Sequence, residues 1–474
     1  MKSATKESLL ADKEDRDNLE ESYWHVNPGD VKIHATRIKG RFRNYKWMAA
    51  SFWLLFFFGP YLRWDGRQAV LFDIPNRKFH IFSITVWPQD VWMLALVLIF
   101  LFLALFAVTA IGGRMFCGYL CFQTVWTDIF TLAEDWIEGA PVKRRKLDEA
   151  PWTFTKIRLR TTKHLVFIII SLLTGATFSA YFMDAFQLWK GYFTFTLPAV
   201  GWYTLLFFFM CTYIFGGFMR EQVCFWLCPY ARIQGVMYDS DTILPTYDKD
   251  RGEPRVRLKK GGHSPDAGDC VDCNLCVAVC PTGIDIRYGQ QEGCITCGLC
   301  IDACDAIMDK VGRPRGLVRY ASLDELGGII LPPLFKRPRV IVYSLILFLA
   351  FSGISYGLLT LGGMSINVIH ERQPLFVKLS DGSIQNKYTM KIVNTTDKEL
   401  NLAIEADGVE GLTMVGSKEP VKIPVSKVRP VMILLKAPEK SLKEQNIPII
   451  FKVYDVNDKT IKSEYKSMFM SPAK

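Results

Sequence analysis

Residues 270–304 read CVDCNLCVAVCPTGIDIRYGQQEGCITCGLCIDAC and hold eight of the 13 cysteines in this 474-residue chain. Each half of the stretch has the spacing C-x2-C-x2-C-x3-C, which is typical of bacterial ferredoxins with two clusters. Three closely spaced thiolates can bind three irons of one cubane, and the fourth cysteine is expected to begin a short helix that leads to the other cluster. The spacing therefore predicts one [4Fe–4S] cluster on Cys270, Cys273, Cys276 and Cys304, and a second on Cys280, Cys294, Cys297 and Cys300.

Zinc sites and disulfides are the two alternatives for these cysteines. Structural zinc takes four tetrahedral ligands, and a C-x2-C-x2-C triplet would crowd three of them. Disulfides are unstable in a reducing cytoplasm, which is where the charge distribution places this segment. Pro281 follows the first run as the ferredoxin pattern requires, whereas Asp305 follows the second. Because no flavin, phosphate or dinucleotide motif accompanies them, two clusters predict a relay for single electrons.

Five apolar runs elsewhere in the chain predict membrane-spanning helices. Half of the residues are hydrophobic, 13% are aromatic and 22% are charged, which excludes a disordered chain. Each run approaches the roughly 20 residues that cross a hydrocarbon core. No signal peptide is expected, because the first 46 residues are polar. The predicted spans are Trp47–Leu62, Val91–Gly113, Leu165–Phe182, Trp202–Met219 and Val340–Gly363.

The distribution of Lys and Arg predicts the orientation of these helices in a bacterial inner membrane. Ten such residues precede the first predicted span and nine lie in the connection 114–163, but the connections 62–90 and 184–197 hold four and one. Since cytoplasmic loops carry the excess of positive charge, we expect the N-terminus and the ferredoxin segment inside and the C-terminus in the periplasm. The partner of the basic residues is therefore expected to be the lipid bilayer, and the net charge of +10 does not indicate binding of nucleic acid.

Four further cysteines form two matched pairs, Cys117-GYL-Cys121 and Cys224-FWL-Cys228. Both pairs follow a Gly-Gly dipeptide, which indicates a degenerate internal repeat. Residues at i and i+4 share one helical face, so the two pairs could bring four sulfurs together. Soft thiolates suit Cu(I), zinc or iron–sulfur, and a redox dithiol is a second interpretation. Simple packing of buried cysteines is the third, and it is the one expected for Cys211.

Short β-branched runs begin near Pro374 and are separated by turn signals such as DG, NTTDK and DGVEG. Their spacing predicts an all-β, immunoglobulin-like sandwich without a disulfide. The chain is thus expected to combine an α-helical membrane bundle, an inserted α+β ferredoxin domain and a C-terminal sandwich. The expected segments are a cytoplasmic tail (1–46), four spans with the C-x3-C motifs (47–219), a linker (220–264), the ferredoxin domain (265–312), a linker (313–339), the fifth span (340–363) and the periplasmic sandwich (364–474).

These motifs together resemble one family closely. Besides the ferredoxin run, the matching stretches are WDGRQAVLFDIPNRKFHIFSITVWPQD (64–90), CGYLCFQTVWTDIF (117–130), REQVCFWLCPYARIQGVMYD (220–239) and RQPLFVKLSDGSIQNKYTMKIVN (372–394). The chain is similar to the cytochrome c oxidase accessory proteins of the FixG/RdxA (CcoG) type. It departs from their paired motif after Cys121, where Phe122 replaces a proline.

The resemblance implies a membrane-bound reductase that converts Cu(II) to Cu(I) during assembly of cbb3-type oxidases. It further implies oxidase assembly components or copper chaperones as partners. In that case the clusters deliver electrons from an unidentified donor, and the four membrane cysteines form a candidate copper or redox site. Two alternatives remain open: an electron-transfer subunit linked to the quinone pool or to a cytoplasmic donor, and an assembly scaffold with structural clusters.

Overall fold

The computed structural model describes residues 32–64, 66–75, 78–82, 84–86, 91–257, 267–360, 364–371, 373–394, 396, 398–416, 420–424, 427–442 and 444–472. Most of the predicted N-terminal tail and the end of the last predicted span, residues 361–363, lie outside these ranges. The chain divides into two compact units, residues 1–354 and 355–474.

The first unit is mainly helical. Its helices are α1 (Arg41–Ala50), α2 (Trp53–Phe58), α3 (Val91–Gly112), α4 (Met115–Tyr119), α5 (Phe122–Ile137), α6 (Pro141–Glu149), α7 (Phe154–Ser179), α8 (Ala185–Thr194), α9 (Ala199–Cys211), α10 (Pro229–Gly235), α11 (Lys249–Gly252), α12 (Leu275–Ala278), α13 (Leu299–Val311), α14 (Leu323–Leu326) and α15 (Pro338–Thr360), the last of which continues into the second unit. A π-helical segment, Thr212–Met219, extends α9, and a second one follows at Val223–Leu227.

Four helical segments of the described residues are long and apolar enough to cross a membrane. Their lengths match the thickness of a hydrocarbon core, and each of the four overlaps a predicted span. The five spans expected from the sequence are therefore not confirmed as a set. The four segments are Trp92–Gly112, Phe154–Ser179, Ala199–Met219 and Pro338–Leu358.

The first predicted span, Trp47–Leu62, is not a single long helix. It is divided among the end of α1, helix α2 and a 3-10 turn at Gly59–Tyr61. The Ser51 hydroxyl donates to the Met48 carbonyl at 2.6 Å and so competes with the helical backbone pattern at the first break. The segment still runs beside α7, because the Tyr181 hydroxyl near the end of α7 donates to the carbonyl of Phe56 at 2.9 Å.

Short strands complete the first unit and frame its cysteine-rich segment. Strands β1 (Arg63–Trp64) and β2 (Arg67–Gln68) form one hairpin, and β3 (Val70–Asp73), β4 (Lys78–Ile81) and β5 (Ile84–Val86) form a small sheet. Strands β6 (Leu244–Tyr247) and β7 (Val318–Ala321) pair antiparallel, with Leu244 opposite Ala321. The pairing of β6 with β7 therefore brings the two ends of the cysteine-rich segment together.

The second unit contains the predicted two-sheet β-sandwich. One sheet has the order β12-β14-β10-β8, with β9 beside β10, and the other has the order β13-β11-β15-β16. Inward-facing residues alternate with outer ones, so that Tyr388, Met390 and Ile392 are all fully buried. The strands are β8 (Met364–His370), β9 (Val377–Lys378), β10 (Ser383–Asn394), β11 (Leu400–Asp407), β12 (Thr413–Val415), β13 (Val421–Ile423), β14 (Val428–Pro438), β15 (Asn446–Asp455) and β16 (Lys462–Met470).

A buried charge network joins the helices of the first unit. The Glu134 carboxylate on α5 is 1% exposed and lies 2.9 Å from Arg144 and 2.5 Å from Arg220. Lys163 on α7 pairs with Glu138 at 3.0 Å. Although burial opposes ionisation, Arg220 and Lys163 lower the pKa of Glu134 to about 2. The carboxylate therefore stays charged at neutral pH and holds α5, α6 and α7 together.

Replacing Glu134 with Gln is expected to destabilise the protein strongly. The substitution leaves Arg144, Arg220 and Lys163 without their shared carboxylate, and breaking one partner of a buried ion pair costs roughly 3–5 kcal/mol. The loss should be measured as a lower thermal midpoint of the full chain in detergent. Glu149→Gln, at an exposed position on α6, is the matched control and should change the midpoint little.

The same carboxylate predicts a dependence of stability on pH. Because the folded pKa of Glu134 is depressed to about 2, its contribution is present above the ordinary glutamate pKa of about 4.3 and is lost as the pH falls toward 2. When the pH is lowered from 5 to 3, the thermal midpoint should therefore fall more for the parent protein than for Glu134→Gln. Equal falls would contradict the assignment.

Candidate electron-transfer centre

The eight clustered cysteines line two adjacent cavities. The first cavity is lined by the first three cysteines of the first run and by the fourth cysteine of the second run. The second cavity is lined by the first three cysteines of the second run and by the fourth cysteine of the first run. Cys276 lines both cavities, so they lie side by side. The first set is Cys270, Cys273, Cys276 and Cys304, and the second is Cys280, Cys294, Cys297 and Cys300.

The two triplet loops repeat the same backbone conformation. Asp272 and Thr296, each one residue before the middle cysteine, have φ values of 48° and 55°. Asn274 and Gly298, each one residue after it, have φ values of 57° and 72°. Left-handed residues at these equivalent positions turn the chain sharply around the middle cysteine, which lets a short loop direct three sulfurs toward one volume.

The helices of the ferredoxin segment begin earlier than the sequence predicted. Helices α12 and α13 start at Leu275 and Leu299, so the third cysteine of each run, not the fourth, lies in a first helical turn. Cys280 follows the end of α12, and Cys304 lies further along α13. The expectation that the fourth cysteine starts the helix was wrong, because Asn274 and Gly298 occupy the N-cap positions.

Burial makes these thiols hard to ionise without a positive partner. It raises the pKa of Cys276, Cys294 and Cys304 to about 12 in each case, and it raises the pKa of Cys300 well above its ordinary value. Buried thiols in this state fit a metal group, since coordination supplies the charge that stabilises a thiolate. Within the described residues no three Cys, His, Asp or Glu side chains converge on a single ion. In a cubane each cysteine binds a different iron, so its sulfurs surround a volume instead.

Helix α4, which carries Cys117, docks directly on the loop of the second triplet. The Tyr119 hydroxyl donates to the carbonyl of Cys297 at 3.0 Å, and the amide of Arg114 donates to the Thr296 hydroxyl at 3.1 Å. Cys117 and Cys121 pack in one apolar cluster with Cys297. The first C-x3-C pair therefore contacts the polypeptide that surrounds the second cavity.

The two C-x3-C pairs come together, but neither lies on one continuous helical face. Cys121 is the N-cap of α5, and Cys228 is the N-cap of α10, so each pair ends one helical turn and begins the next helix. The expected i, i+4 geometry was wrong for this reason. Phe122 and Pro229 both occupy the first helical position, so the missing proline does not break the symmetry of the two motifs.

The environments of these four thiols differ. The Cys117 thiol donates to Oε1 of Gln234 at 3.3 Å and also interacts with the sulfur of Cys121. The contact with Cys117 and the amides at the start of α5 lower the pKa of Cys121, whereas burial raises the pKa of Cys224 to about 12. Cys121 and Cys224 lie within electrostatic range of each other. The group thus combines a sulfur that ionises more readily than a free thiol, Cys121, with one that ionises less readily, Cys224.

Sequence reasoning missed Arg114, which lies between the two sulfur systems. Its side chain is 2% exposed, and its guanidinium donates to the carbonyl of Ala231. The positive charge acts on Cys117, Cys224 and Cys294 and favours their ionised forms. The arginine directly after Gly112-Gly113 was the available signal, but its burial depends on contacts more than 100 residues away.

Replacing Gly118 with Ala is expected to displace α4 from the ferredoxin segment. A Cβ atom at this position would lie 2.5 Å from the carbonyl oxygen of Ile295 and 3.1 Å from Cα of Cys297, and backbone atoms cannot move away cheaply. Thermal stability and bound iron should both fall. Gly327→Ala, where the nearest atom would be 3.5 Å away, is the control and should leave both unchanged.

Comparison with known proteins adds three family matches. Residues 219–323 match a 4Fe-4S dicluster domain, residues 94–141 match a 4Fe-4S binding domain, and residues 354–472 match the IG-like fold at the C-terminal of FixG. The segments of both C-x3-C pairs thus fall within iron–sulfur family models. The matches confirm the ferredoxin-type domain and the immunoglobulin-like sandwich predicted from the sequence.

Three curated proteins are similar over most of the chain. The nitrogen fixation protein FixG of Rhizobium meliloti is 39% identical, with 87% of this chain and 88% of that protein covered. The proteins RdxB and RdxA of Cereibacter sphaeroides are 42% and 41% identical, with 79% and 80% of this chain and 82% and 83% of those proteins covered. A crystal structure of a FixG-related protein from Vibrio parahaemolyticus matches 24% of this chain and 100% of its own, at 21% identity and a TM-score of 0.22. On the identity and coverage of these relatives, the chain belongs to the FixG family.

Proposed function

We propose that this FixG-family protein is a membrane-bound oxidoreductase that reduces Cu(II) to Cu(I) for assembly of a cbb3-type cytochrome c oxidase. The observation that carries the proposal is that three groups of cysteine residues adjoin one another. Cys276 lines both cysteine cavities, and the second cavity is also lined by Cys297, which packs in one apolar cluster with Cys117 and Cys121. A chain of this kind suits the movement of single electrons, one of which converts Cu(II) to Cu(I).

The eight ferredoxin cysteines are the proposed ligands of two [4Fe–4S] clusters. Cys270, Cys273, Cys276 and Cys304 would hold the first, and Cys280, Cys294, Cys297 and Cys300 the second. When bound, such clusters supply reversible one-electron exchange. The cross-over of Cys280 and Cys304 between the two cavities supports this assignment.

Copper is the proposed substrate, bound by thiolates of the four membrane cysteines. Cu(I) is a soft ion that prefers thiolate ligands, so Cys117, Cys121, Cys224 and Cys228 would stabilise the reduced product. Cys121 supports this role, because the contact with Cys117 and the amides at the start of α5 lower its pKa and so favour an ionised sulfur. A further redox relay is the alternative use of the same thiols.

The proposed orientation follows the charge distribution of the sequence. The ferredoxin segment faces the cytoplasm, the interrupted segment Trp47–Leu62 is the first of five crossings, and the sandwich lies in the periplasm. Lys46 at the inner end of this segment bonds to Asp128 at 2.5 Å, which supports its position beside the bundle. The sandwich would then offer a surface to oxidase assembly components or copper chaperones.

Anaerobically purified protein is expected to contain about eight iron atoms per chain, four for each cluster. Cys297→Ser should remove roughly half of the iron and the corresponding electron paramagnetic resonance signal on reduction. Cys211→Ser replaces a cysteine that lines neither cavity, and it should keep the full iron content. Zinc in place of iron would contradict the proposal.

Removal of a membrane thiol should separate copper reduction from cluster assembly. In Cys121→Ser we expect unchanged iron but a rate of Cu(II) reduction lowered to about a tenth or less, since a thiolate ligand of the product is lost. Protein reduced with dithionite and freed of excess reductant would be mixed with Cu(II) and a Cu(I)-specific chelator. Cys211→Ser is again the control. Reduction of a quinone with none of Cu(II) would instead support the quinone-linked alternative.

A further inference from the structure

A charged cavity outside the cysteine centre lies beside α7 and the end of the π-helical extension of α9. Its volume is about 510 Å³, within the range of about 300–1,000 Å³ typical of small-molecule sites. It lies at the boundary within α7 between the charged first turns, which end at His164, and the apolar run that begins at Leu165. A ligand in this cavity would therefore reach both the aqueous surface and the apolar part of the bundle.

Aromatic rings form one side of the cavity. Phe167 is 2% exposed, and the ring of Phe218 stacks on the imidazole of His164 with 6.0 Å between the centroids and 22° between the planes. Nδ1 of His164 bonds to the Tyr213 hydroxyl at 2.9 Å. Within the described residues Nε2 has no hydrogen-bond partner, so it is the ring nitrogen left for a ligand.

Most of the charged side chains that line the cavity are already engaged by neighbouring groups. Arg220 bonds to Glu134, and Arg160 bonds to Asp148, which also lies 3.8 Å from Lys32. The ammonium of Lys156 donates to the carbonyls of Asp148 and Ala150 and lies over the ring of Trp152. Because these cations are neutralised or engaged, the cavity favours a neutral, flat, hydrogen-bonding molecule over a phosphate group.

The cavity also adjoins the membrane cysteines. Glu221 lines it, and the same carboxylate lies within electrostatic range of Cys224. Burial raises the pKa of Glu221, so its carboxylate is a better proton acceptor than an exposed glutamate. One wall of the cavity thus provides a base at the edge of the proposed electron path.

We propose that this cavity binds a lipid-soluble hydroquinone, the electron donor of the relay. The inference rests on the proposed electron-transfer function. Oxidation of the hydroquinone to the quinone breaks its two O–H bonds and releases two electrons and two protons. The electrons leave singly to the two one-electron clusters, and the protons pass to Glu221 and water. His164 Nε2 is the proposed partner of one ring oxygen, and Phe167 and Phe218 are the proposed contacts of the ring faces.

Binding is the first test, and it does not depend on the clusters. Titration calorimetry of the detergent-solubilised full chain with a short-chain benzoquinone should show one site, and His164→Gln should weaken it about tenfold, as loss of a buried hydrogen bond predicts. Phe218→Trp, which fills the cavity, should abolish binding. Phe207→Trp is the matched control, because Phe207 is similarly exposed, at 62% against 63%, but does not line the cavity.

The second test follows bleaching of cluster absorbance when the anaerobic protein is mixed with the hydroquinone. We expect slower bleaching in His164→Gln and Phe218→Trp, an unchanged rate in Phe207→Trp, and full bleaching by dithionite in every variant. Binding that is unaffected by Phe218→Trp, or competed away by phosphatidylglycerol vesicles but not by phosphatidylcholine vesicles, would overturn the proposal. Cu(II) reduction by dithionite-treated variants tests the proposed function separately, because that assay bypasses the cavity.

Discussion

The contact between helix α4 and the loop of Cys297 is the constraint on which the arrangement of the centre depends. Gly118 allows this contact, because any side chain there would collide with the carbonyl of Ile295. The hydrogen bond from Tyr119 to Cys297 then fixes the rotation of α4. Electron transfer slows steeply with distance, so a close approach of the two sulfur systems favours transfer between them. Neither system needs this approach for its own stability.

The buried charge network sets the second C-x3-C pair against the first. Arg220 is held by Glu134 on α5, and Gln123 near the start of the same helix donates to the carbonyls of Phe215 and Arg220 at 2.7 Å and 2.9 Å. Cys121 precedes Gln123 and Cys224 follows Arg220, so both pairs are tied to one helix. A charge network that is distant from the cysteines in sequence thereby brings four sulfurs near one another.

Sequence reasoning succeeded where a local pattern dictates the structure. The spacing of the ferredoxin cysteines, the long apolar runs and the alternation in the C-terminal strands are all properties of neighbouring residues. Sequence reasoning did not predict the break in the first span at Ser51 and Phe52, where the Ser51 hydroxyl bonds to the carbonyl of Met48. Sequence reasoning also did not predict the N-cap positions of Cys121 and Cys228, because i, i+4 spacing fits an unbroken helix equally well. The burial of Arg114 and the docking of Gly118 depend on residues about 180 positions away, which no local pattern encodes.

The buried cations near the sulfurs indicate how the centre tolerates the arrival of an electron. Each added electron makes a sulfur-rich centre more negative, and a buried negative charge is costly unless a positive charge is fixed nearby. Arg114 acts on thiols of both cysteine systems, and Lys46 acts on Cys297. These positive charges are set in place by contacts with Ala231 and Asp128 before any electron arrives. Fixed cations on both sides of the α4 contact therefore lower the electrostatic cost of reduction where the two systems meet, on the proposed electron path.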